Sequence, residues 1–205
     1  MTGAQAGPQS AASGSWPEAA EASDETLMER IGAGDARAYQ MLITRHLTRN
    51  LGFAHRLTGS GHEAEDVVQE AFLRVWKTAG RWRPDGAKFT TWFYRVVMNL
   101  CIDRHRRARS APLDAAGELV DPAADAEEQL RQAQRAQLVA GALTRLPVRQ
   151  RAAVALCYYQ ELSNREAAAV LGVSVKALEA LLVRARQTLR QDLAVLKTEL
   201  MGETL

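Results

Sequence analysis

The sequence predicts an all-α protein made of two small helical domains that are joined by a flexible acidic linker. Apolar residues recur with the period of a helix over most of the chain, and no segment alternates as a strand would. The segment before Ala126 is instead polar, acidic and broken by Pro112 and Pro122, which is typical of a linker. We therefore expect a disordered tail at 1–23, a four-helix domain at 24–107, a linker at 108–125, a helix-turn-helix domain at 126–197 and a second tail at 198–205.

The composition fits one or two domains with real hydrophobic cores, because 47% of the 205 residues are hydrophobic. No apolar run reaches the roughly 18 residues of a membrane span. The first 23 residues lack the basic and apolar regions of a signal peptide. Cys101 and Cys157 have neither CxxC nor histidine spacing, so we expect buried thiols in a reducing cytoplasm, with no metal site and no cofactor.

The distribution of charge indicates a nucleic-acid surface, although the formal net charge is only +2. Residues 104–109 read RHRRAR, with four arginines and no acid, whereas residues 114–129 hold six acids and no base. Local asymmetry of this kind is more informative than the total charge. We expect the basic segment to contact phosphates.

Capping signals divide the start of the first domain into two helices. We expect Asp24 to cap a short helix that ends at Gly32 and Gly34. Asp35 should then cap a longer helix, which ends at the Thr-Gly-Ser-Gly loop of residues 58–61.

The third helix, at 64–77, has the most regular apolar stripe in the chain. Its apolar positions recur at helical spacing and are Ala64, Val67, Val68, Ala71, Phe72, Val75 and Trp76. Acidic residues lie near its start and basic residues near its end, as the helix dipole favours. A buried helix with a solvated charged face is the simplest interpretation.

Aromatic and basic residues are interleaved at the start of the fourth helix, which we expect from Phe89 to about Arg107 with Thr90 or Thr91 as its cap. Planar side chains can stack on unpaired bases while cations follow the backbone of the strand. Ordinary core aromatics are the competing interpretation, and we expect it to hold for Trp92. The predicted inner face of this helix is Trp92, Val96, Val97 and Leu100.

A helix-turn-helix pattern lies near the C-terminus. Ser163 and Glu166 form a capping box, Gly172 supplies a left-handed turn and Ser174 caps the next helix. The second helix should bury Leu178, Leu181, Leu182, Ala185 and Leu189. A small residue, a turn glycine and a later aliphatic residue at this spacing favour a DNA-binding motif, although a helical hairpin without a DNA role has a similar pattern.

Three blocks of the sequence, AEDVVQEAFLRVWK, FTTWFYRVVMNLCIDRHRR and LPVRQRAAVALCYYQELSNREAAAVLGVSVKALEALLVRARQTLR, resemble a bacterial RNA polymerase sigma factor. The resemblance is to the extracytoplasmic-function (ECF) class of the sigma-70 family and covers about residues 24–196. It implies a non-enzymatic, cytoplasmic subunit that binds core RNA polymerase, recognises the minus-35 and minus-10 promoter elements and helps to melt the latter. It also implies a stress-response regulon and an anti-sigma partner.

The resemblance assigns three groups of residues. The helix at 64–77 would dock on the polymerase largest subunit through Asp66, Gln69, Glu70, Arg74 and Trp76. The unpaired minus-10 strand would be bound by Arg81, Trp82, Lys88, Phe89, Arg95, Asn99, Asp103, Arg104, Arg106 and Arg107. The minus-35 duplex would be read by Ser174, Lys176, Glu179, Ala180, Val183, Arg184 and Arg186.

The recognition helix departs from the pattern that the resemblance implies. Relatives often carry Lys or Arg where this chain has Glu179 and Leu181, so fewer cations would read the minus-35 element. The main alternative is a stand-alone helix-turn-helix regulator, but the sequence shows neither a dimerisation helix nor a sensor domain. An all-α adaptor without DNA contact leaves the basic segment unexplained, and an enzyme is the least favoured class.

Overall fold

The protein is described by a computed structural model at residues 22–83, 88–108 and 137–202. Within these ranges all regular structure is helical, which confirms the all-α prediction. None of the helices in these ranges is long and apolar enough to cross a membrane. Residues 1–21 of the predicted N-terminal tail, nearly all of the predicted linker and the start of the first helix after it lie outside the described residues.

The helices follow one another in a simple order along the chain. They are α1 Asp24–Gly32, α2 Ala36–Thr58, α3 Gly61–Thr78, a 3-10 turn Ala79–Arg81, α4 Phe89–Ala108, α5 at residues 137–145, α6 Val148–Val154 with a π-helical turn Ala155–Tyr159, α7 Asn164–Leu171 and α8 Val175–Gly202. Helices α1 to α4 pack together as the first domain, and α5 to α8 form the second.

The start of α1 differs from the prediction. The cap is Ser23, whose Oγ accepts a hydrogen bond from the N–H of Thr26 at 3.1 Å. Asp24 is already helical and joins α1 to α2, since its carboxylate pairs with Arg45 at 2.6 Å and with His46 Nε2 at 2.8 Å. The predicted Asp24 cap is therefore wrong, because these partners from α2 compete for the carboxylate.

The next two helices begin at side-chain caps. Asp35 caps α2 as predicted, accepting from the N–H groups of Arg37 and Ala38 at 2.9 and 3.0 Å. Helix α3 starts three residues earlier than expected, at Gly61, because Ser60 caps it through the N–H of Glu63.

Helix α4 is held at its start by a residue from another helix. Its first N–H, on Phe89, donates to Glu25 Oε1 at 3.0 Å, so the predicted cap at Thr90 or Thr91 is wrong. The buried face of α4 also differs from the predicted one, because Phe93 and Tyr94 are buried while Trp92 and Val96 are only partly buried.

The second domain contains the predicted helix-turn-helix. The capping box of Ser163 and Glu166 is formed, and Gly172 has a φ of 64° in the left-handed region. Leu178, Leu182 and Ala185 are buried, whereas Leu181 and Leu189 are partly buried against the core. Helix α8 continues to Gly202, so residues 198–202 are helical rather than a tail. No glycine or proline occurs between Val175 and Met201 to end the helix earlier.

The Asp24 pairing makes the stability of the first domain sensitive to acid. Burial alone would raise the pKa of Asp24, but hydrogen bonds from His46 and Arg45 lower it below the usual value. A lowered folded pKa stabilises the protein above about pH 4 and the contribution disappears as the pH falls through the folded pKa.

We predict that Asp24→Asn lowers the free energy of unfolding at neutral pH, and that the difference from the wild type shrinks below about pH 4. Urea unfolding at a series of pH values measures this difference. Glu29→Gln, which removes an exposed carboxylate from the same helix, is the control. A difference that stays constant from pH 7 to about pH 3 would contradict the proposed role of the charge.

Candidate nucleic-acid and partner interfaces

One side of α3 presents a mixed apolar and charged surface, which we call the α3 ridge: Asp66, Gln69, Glu70, Leu73, Arg74 and Trp76. Leu73 and Trp76 are 51% and 44% exposed, and Trp76 makes an edge contact with Tyr39 at 5.1 Å between ring centroids. Trp76 therefore lies outside the buried stripe to which its spacing assigned it. Two large exposed apolar residues side by side favour a protein partner.

Leu73 was missed by the sequence reasoning. It falls off the apolar stripe of α3 and was counted with neither the core nor the charged residues. An isolated leucine off a stripe is common on protein surfaces, so its pairing with Trp76 becomes significant only in the structure.

Ion pairs order the charged residues of the ridge, and one of these pairs connects it to α4. Arg74 donates to Glu70 at 2.8 Å, and Arg104 NH1 donates to Asp66 Oδ2 at 3.0 Å. The second pair brings together a predicted polymerase contact and a predicted DNA contact. Arg104 is thus engaged by Asp66 in this conformation, and its predicted phosphate contact stays a prediction. Exposed pairs of this type contribute little stability and are readily exchanged.

The aromatic residues near the start of α4 form two layers. Phe89 has no exposed surface, and its ring stacks on Phe93 with a centroid separation of 5.3 Å. The prediction that Phe89 contacts DNA is therefore wrong for this conformation, because the core encloses its ring. Trp82 and Trp92 are only partly buried and lie over this pair, with centroids 6.3 and 5.8 Å from Phe89. The outer layer is the part that could stack on a base.

Polar residues run along the exposed side of α4 and the preceding turn. Arg81, Lys88, Arg95, Asn99, Arg106 and Arg107 are exposed, and Asp103 is partly exposed. Asp103 pairs with Arg106 at 3.2 Å. Asn99 and Asp103 follow Arg95 by four and eight residues within α4, and this spacing predicts that the three share one polar face.

The second domain covers part of this surface. The guanidinium of Arg95 donates to the carbonyl of Ala169 in α7, and Lys88 Nζ lies 3.5 Å from Glu166 Oε1. Two of the predicted DNA-binding cations are therefore occupied by the helix-turn-helix domain. No pattern in the sequence predicts this contact, since the residues are more than 70 positions apart.

Further contacts between the domains surround these two. Tyr94 Oη donates to Gln160 Oε1 at 2.8 Å, and Gln160 Nε2 donates to the carbonyl of Arg49 at 3.3 Å. Burial raises the pKa of Tyr94, and the charge of Arg49 opposes this shift. Arg56 lies over the ring of Tyr159 at 3.9 Å.

Arg151 of α6 is a buried arginine with one nitrogen that is unpaired among the described residues. Arg151 is 4% exposed, and its Nε has no hydrogen-bond partner within the described ranges. Burial lowers its pKa, while Cys101 of α4 is near enough to oppose that shift. Burial in turn raises the pKa of Cys101 to about 12. An unpaired buried donor costs about 1–3 kcal/mol, so the Nε of Arg151 lowers the stability of the folded protein.

The recognition helix α8 exposes the residues that were expected to face DNA. Ser174 Oγ accepts from the N–H of Ala177 at 3.2 Å, so it caps the helix as predicted. Lys176, Glu179, Val183, Arg184 and Arg186 are exposed, and Ala180 is partly exposed. Val183 is 58% exposed, and Glu179 stands among only three cations of this group.

Comparisons with known proteins give a consistent result. The family models described as Sigma-70 region 2 and Sigma-70, region 4 match residues 42–111 and 136–189. The ECF RNA polymerase sigma factor SigM of Mycobacterium tuberculosis is 39% identical over 179 residues, which cover 87% of this chain and 88% of SigM. The ECF RNA polymerase sigma-E factor of Escherichia coli is 29% identical over 177 residues, covering 81% of this chain and 92% of that protein. CnrH, solved in complex with the cytosolic domain of CnrY, has a TM-score of 0.64 and 29% identity, covering 84% of this chain and 97% of CnrH.

We predict that Tyr94→Phe loosens the contact between the domains. The substitution keeps the ring packed on Phe53 but removes the hydrogen bond to Gln160, which is worth about 1 kcal/mol and hence roughly a fivefold larger open population. Single-molecule energy transfer between dyes on Lys77→Cys and Lys176→Cys, in a Cys157→Ala background, measures that population.

Tyr159→Phe is the matched control, because the contact of Tyr159 with Arg56 is made through its ring. An open population that rises equally in both variants would show that the Tyr94 hydroxyl does not hold the domains together.

Proposed function

This chain belongs to the sigma-70 family as a sigma factor of the extracytoplasmic-function class. From this premise we propose which of its surfaces bind polymerase, the minus-10 strand and the minus-35 duplex. As such a factor it binds core RNA polymerase and directs it to promoters with minus-35 and minus-10 elements. The family assignment rests on the relative that is 39% identical to this chain over 88% of its own length. A stand-alone helix-turn-helix regulator is not favoured, because that relationship spans both domains.

The polymerase contact is assigned to the α3 ridge. Its two exposed apolar residues, Leu73 and Trp76, are bordered by Asp66, Glu70 and Arg74, so they form an apolar centre with a charged rim. Interfaces between proteins have this composition, and a few central aromatic or aliphatic residues supply most of the affinity.

The unpaired minus-10 strand is assigned to the exposed side of α4 with Trp82. Lys88, Arg95 and Arg107 supply cations for the phosphates, while Trp82 and Trp92 offer planar surfaces for a base. Phe89 supports this layer from below instead of touching the strand. Because α7 occupies Lys88 and Arg95, the strand can bind only after the domains have moved apart.

The minus-35 duplex is assigned to the start of α8, where Lys176, Arg184 and Arg186 face outward. Arginine and lysine bind guanine edges and phosphates, and Glu179 can accept from a cytosine amino group. With three cations, this surface depends less on phosphate contacts than a more basic helix would.

The regulation and location of the factor are further parts of the proposal. CnrH is seen in complex with the cytosolic domain of CnrY, and we infer that this chain likewise has a protein partner of the anti-sigma type that holds it inactive until a stress signal arrives. It acts in the cytoplasm beside its promoters. It supplies no catalytic residue, because the polymerase carries out the chemistry.

Run-off transcription tests the function directly. We predict that adding the protein to core RNA polymerase yields start sites absent without it, on promoter fragments from the same genome. Aligning these start sites would define both promoter elements. Duplex binding without any initiation would instead support the stand-alone regulator.

We predict that Leu73→Ala lowers the affinity for core polymerase about tenfold, as loss of a central apolar contact does. Leu47→Ala is the matched control, since Leu47 is 38% exposed on α2 and is not part of the ridge. Fluorescence anisotropy with labelled protein measures both affinities. Equal affinities for the two variants would place the docking surface elsewhere.

We predict that replacing Arg106 and Arg107 by Ala reduces the salt dependence of binding between the holoenzyme and a single-stranded minus-10 oligonucleotide. The slope of log K against log salt should fall by up to about 1.4, because each phosphate contact on a single strand contributes about 0.7. Arg37→Ala, an exposed arginine on α2, is the control. An unchanged slope in the double variant would exclude phosphate contacts by these arginines.

A further inference from the structure

Helix α1 touches both sides of the segment that separates the 3-10 turn from α4. Trp82 follows the turn and Lys88 precedes α4, and both are assigned above to the unpaired strand. The sequence of α1 predicts no role beyond packing. Its contacts indicate a more specific one.

The first contact holds the start of α4. Glu25 Oε1 accepts the N–H of Phe89 at 3.0 Å, which would otherwise lack an intrahelical partner. A carboxylate at this end of a helix is also favoured by the helix dipole. Thr90 and Thr91 lie inside the helix, so the carboxylate from α1 takes the place of a local cap.

The second contact holds the 3-10 turn. A Cβ added at Gly32 would lie 3.0 Å from Gly80 Cα and 3.1 Å from the carbonyl oxygen of Ala79. The end of α1 therefore packs backbone against backbone on the turn. Trp82 follows immediately, and its own N–H donates to the carbonyl of Thr78 at 2.8 Å.

Helix α1 is itself fixed in the domain. Leu27 and Met28 have no exposed surface, and Asp24 is paired with His46 and Arg45 of α2. The His46 ring also lies 5.3 Å from the ring of Phe89, so the same anchor supports the residue that Glu25 holds. A displacement of α1 would move both contacts together.

We propose that α1 is a brace that sets the position of Trp82 relative to Lys88, and that Glu25 is a positioning residue for binding of the unpaired minus-10 strand. This inference rests on the assignment of that strand to Trp82 and Lys88. Stacking and phosphate contacts both require a defined geometry, and surfaces that are ordered before binding avoid the entropic cost of being ordered during it.

The test compares Glu25→Ala with Glu29→Ala, which removes an exposed carboxylate one turn further along the same helix. Holoenzyme with Glu25→Ala should bind a fluorescent single-stranded minus-10 oligonucleotide about tenfold more weakly, in line with the loss of a hydrogen bond to a charged group. Its affinity for core polymerase should be unchanged. Glu25→Gln, which retains an acceptor oxygen, should restore most of the strand affinity.

Gly32→Ala provides a second variant that acts on the other contact without altering Glu25. Its methyl group must displace the backbone at Gly80, so strand affinity should fall again while core binding is retained. Gly141→Ala is the matched control, because a Cβ there meets no atom within 4 Å.

The strand and core affinities of these variants decide whether α1 acts as a brace. Wild-type strand affinity in both Glu25→Ala and Gly32→Ala would overturn it, as would an equal loss of core binding, which would mean that Glu25 acts only on folding. Failure of the wild-type holoenzyme to bind the oligonucleotide would overturn the strand assignment itself, and the brace with it.

Discussion

The burial of the Phe89 and Phe93 rings is the constraint on which the first domain depends. Their stacked rings lie beneath Trp82 and Trp92, and the His46 ring from α2 lies close to both. This packing fixes where α4 begins and which of its sides remains in solvent. The exposed polar residues of α4 are consequently held on a rigid element, which suits the strand-binding role proposed for them.

The contact between the domains covers part of this surface. In the structure α7 occupies Arg95 and Lys88, so under the proposed assignment the helix-turn-helix domain and an unpaired strand would compete for the same cations. The α3 ridge keeps Leu73 and Trp76 exposed in this closed arrangement. Polymerase could therefore engage the ridge before the domains separate. Promoter contact would then be linked to assembly of the holoenzyme, which limits unproductive DNA binding by the free protein.

Local patterns in the sequence predicted the elements well where the determining interactions are also local. Asp35, the capping box of Ser163 and Glu166, and the turn at Gly172 all occur as predicted, because their partners lie within four residues. The predicted cap at Asp24 and the predicted DNA contact of Phe89 were wrong for a common reason. In each case a side chain suited to a local or exposed role is engaged by a distant helix.

By itself, the sequence determined the all-α class, the two-domain resemblance to sigma factors and the exposed side of α8, together with most of that of α3, where Leu73 and Trp76 are the exceptions. Helical period and cap chemistry are short-range properties. Only the tertiary structure decided that Arg104 pairs with Asp66, that Glu25 holds the start of α4 and that Arg95 is covered by α7. These contacts join residues 38 to 74 positions apart. Their formation depends on how whole helices pack, which no short pattern records.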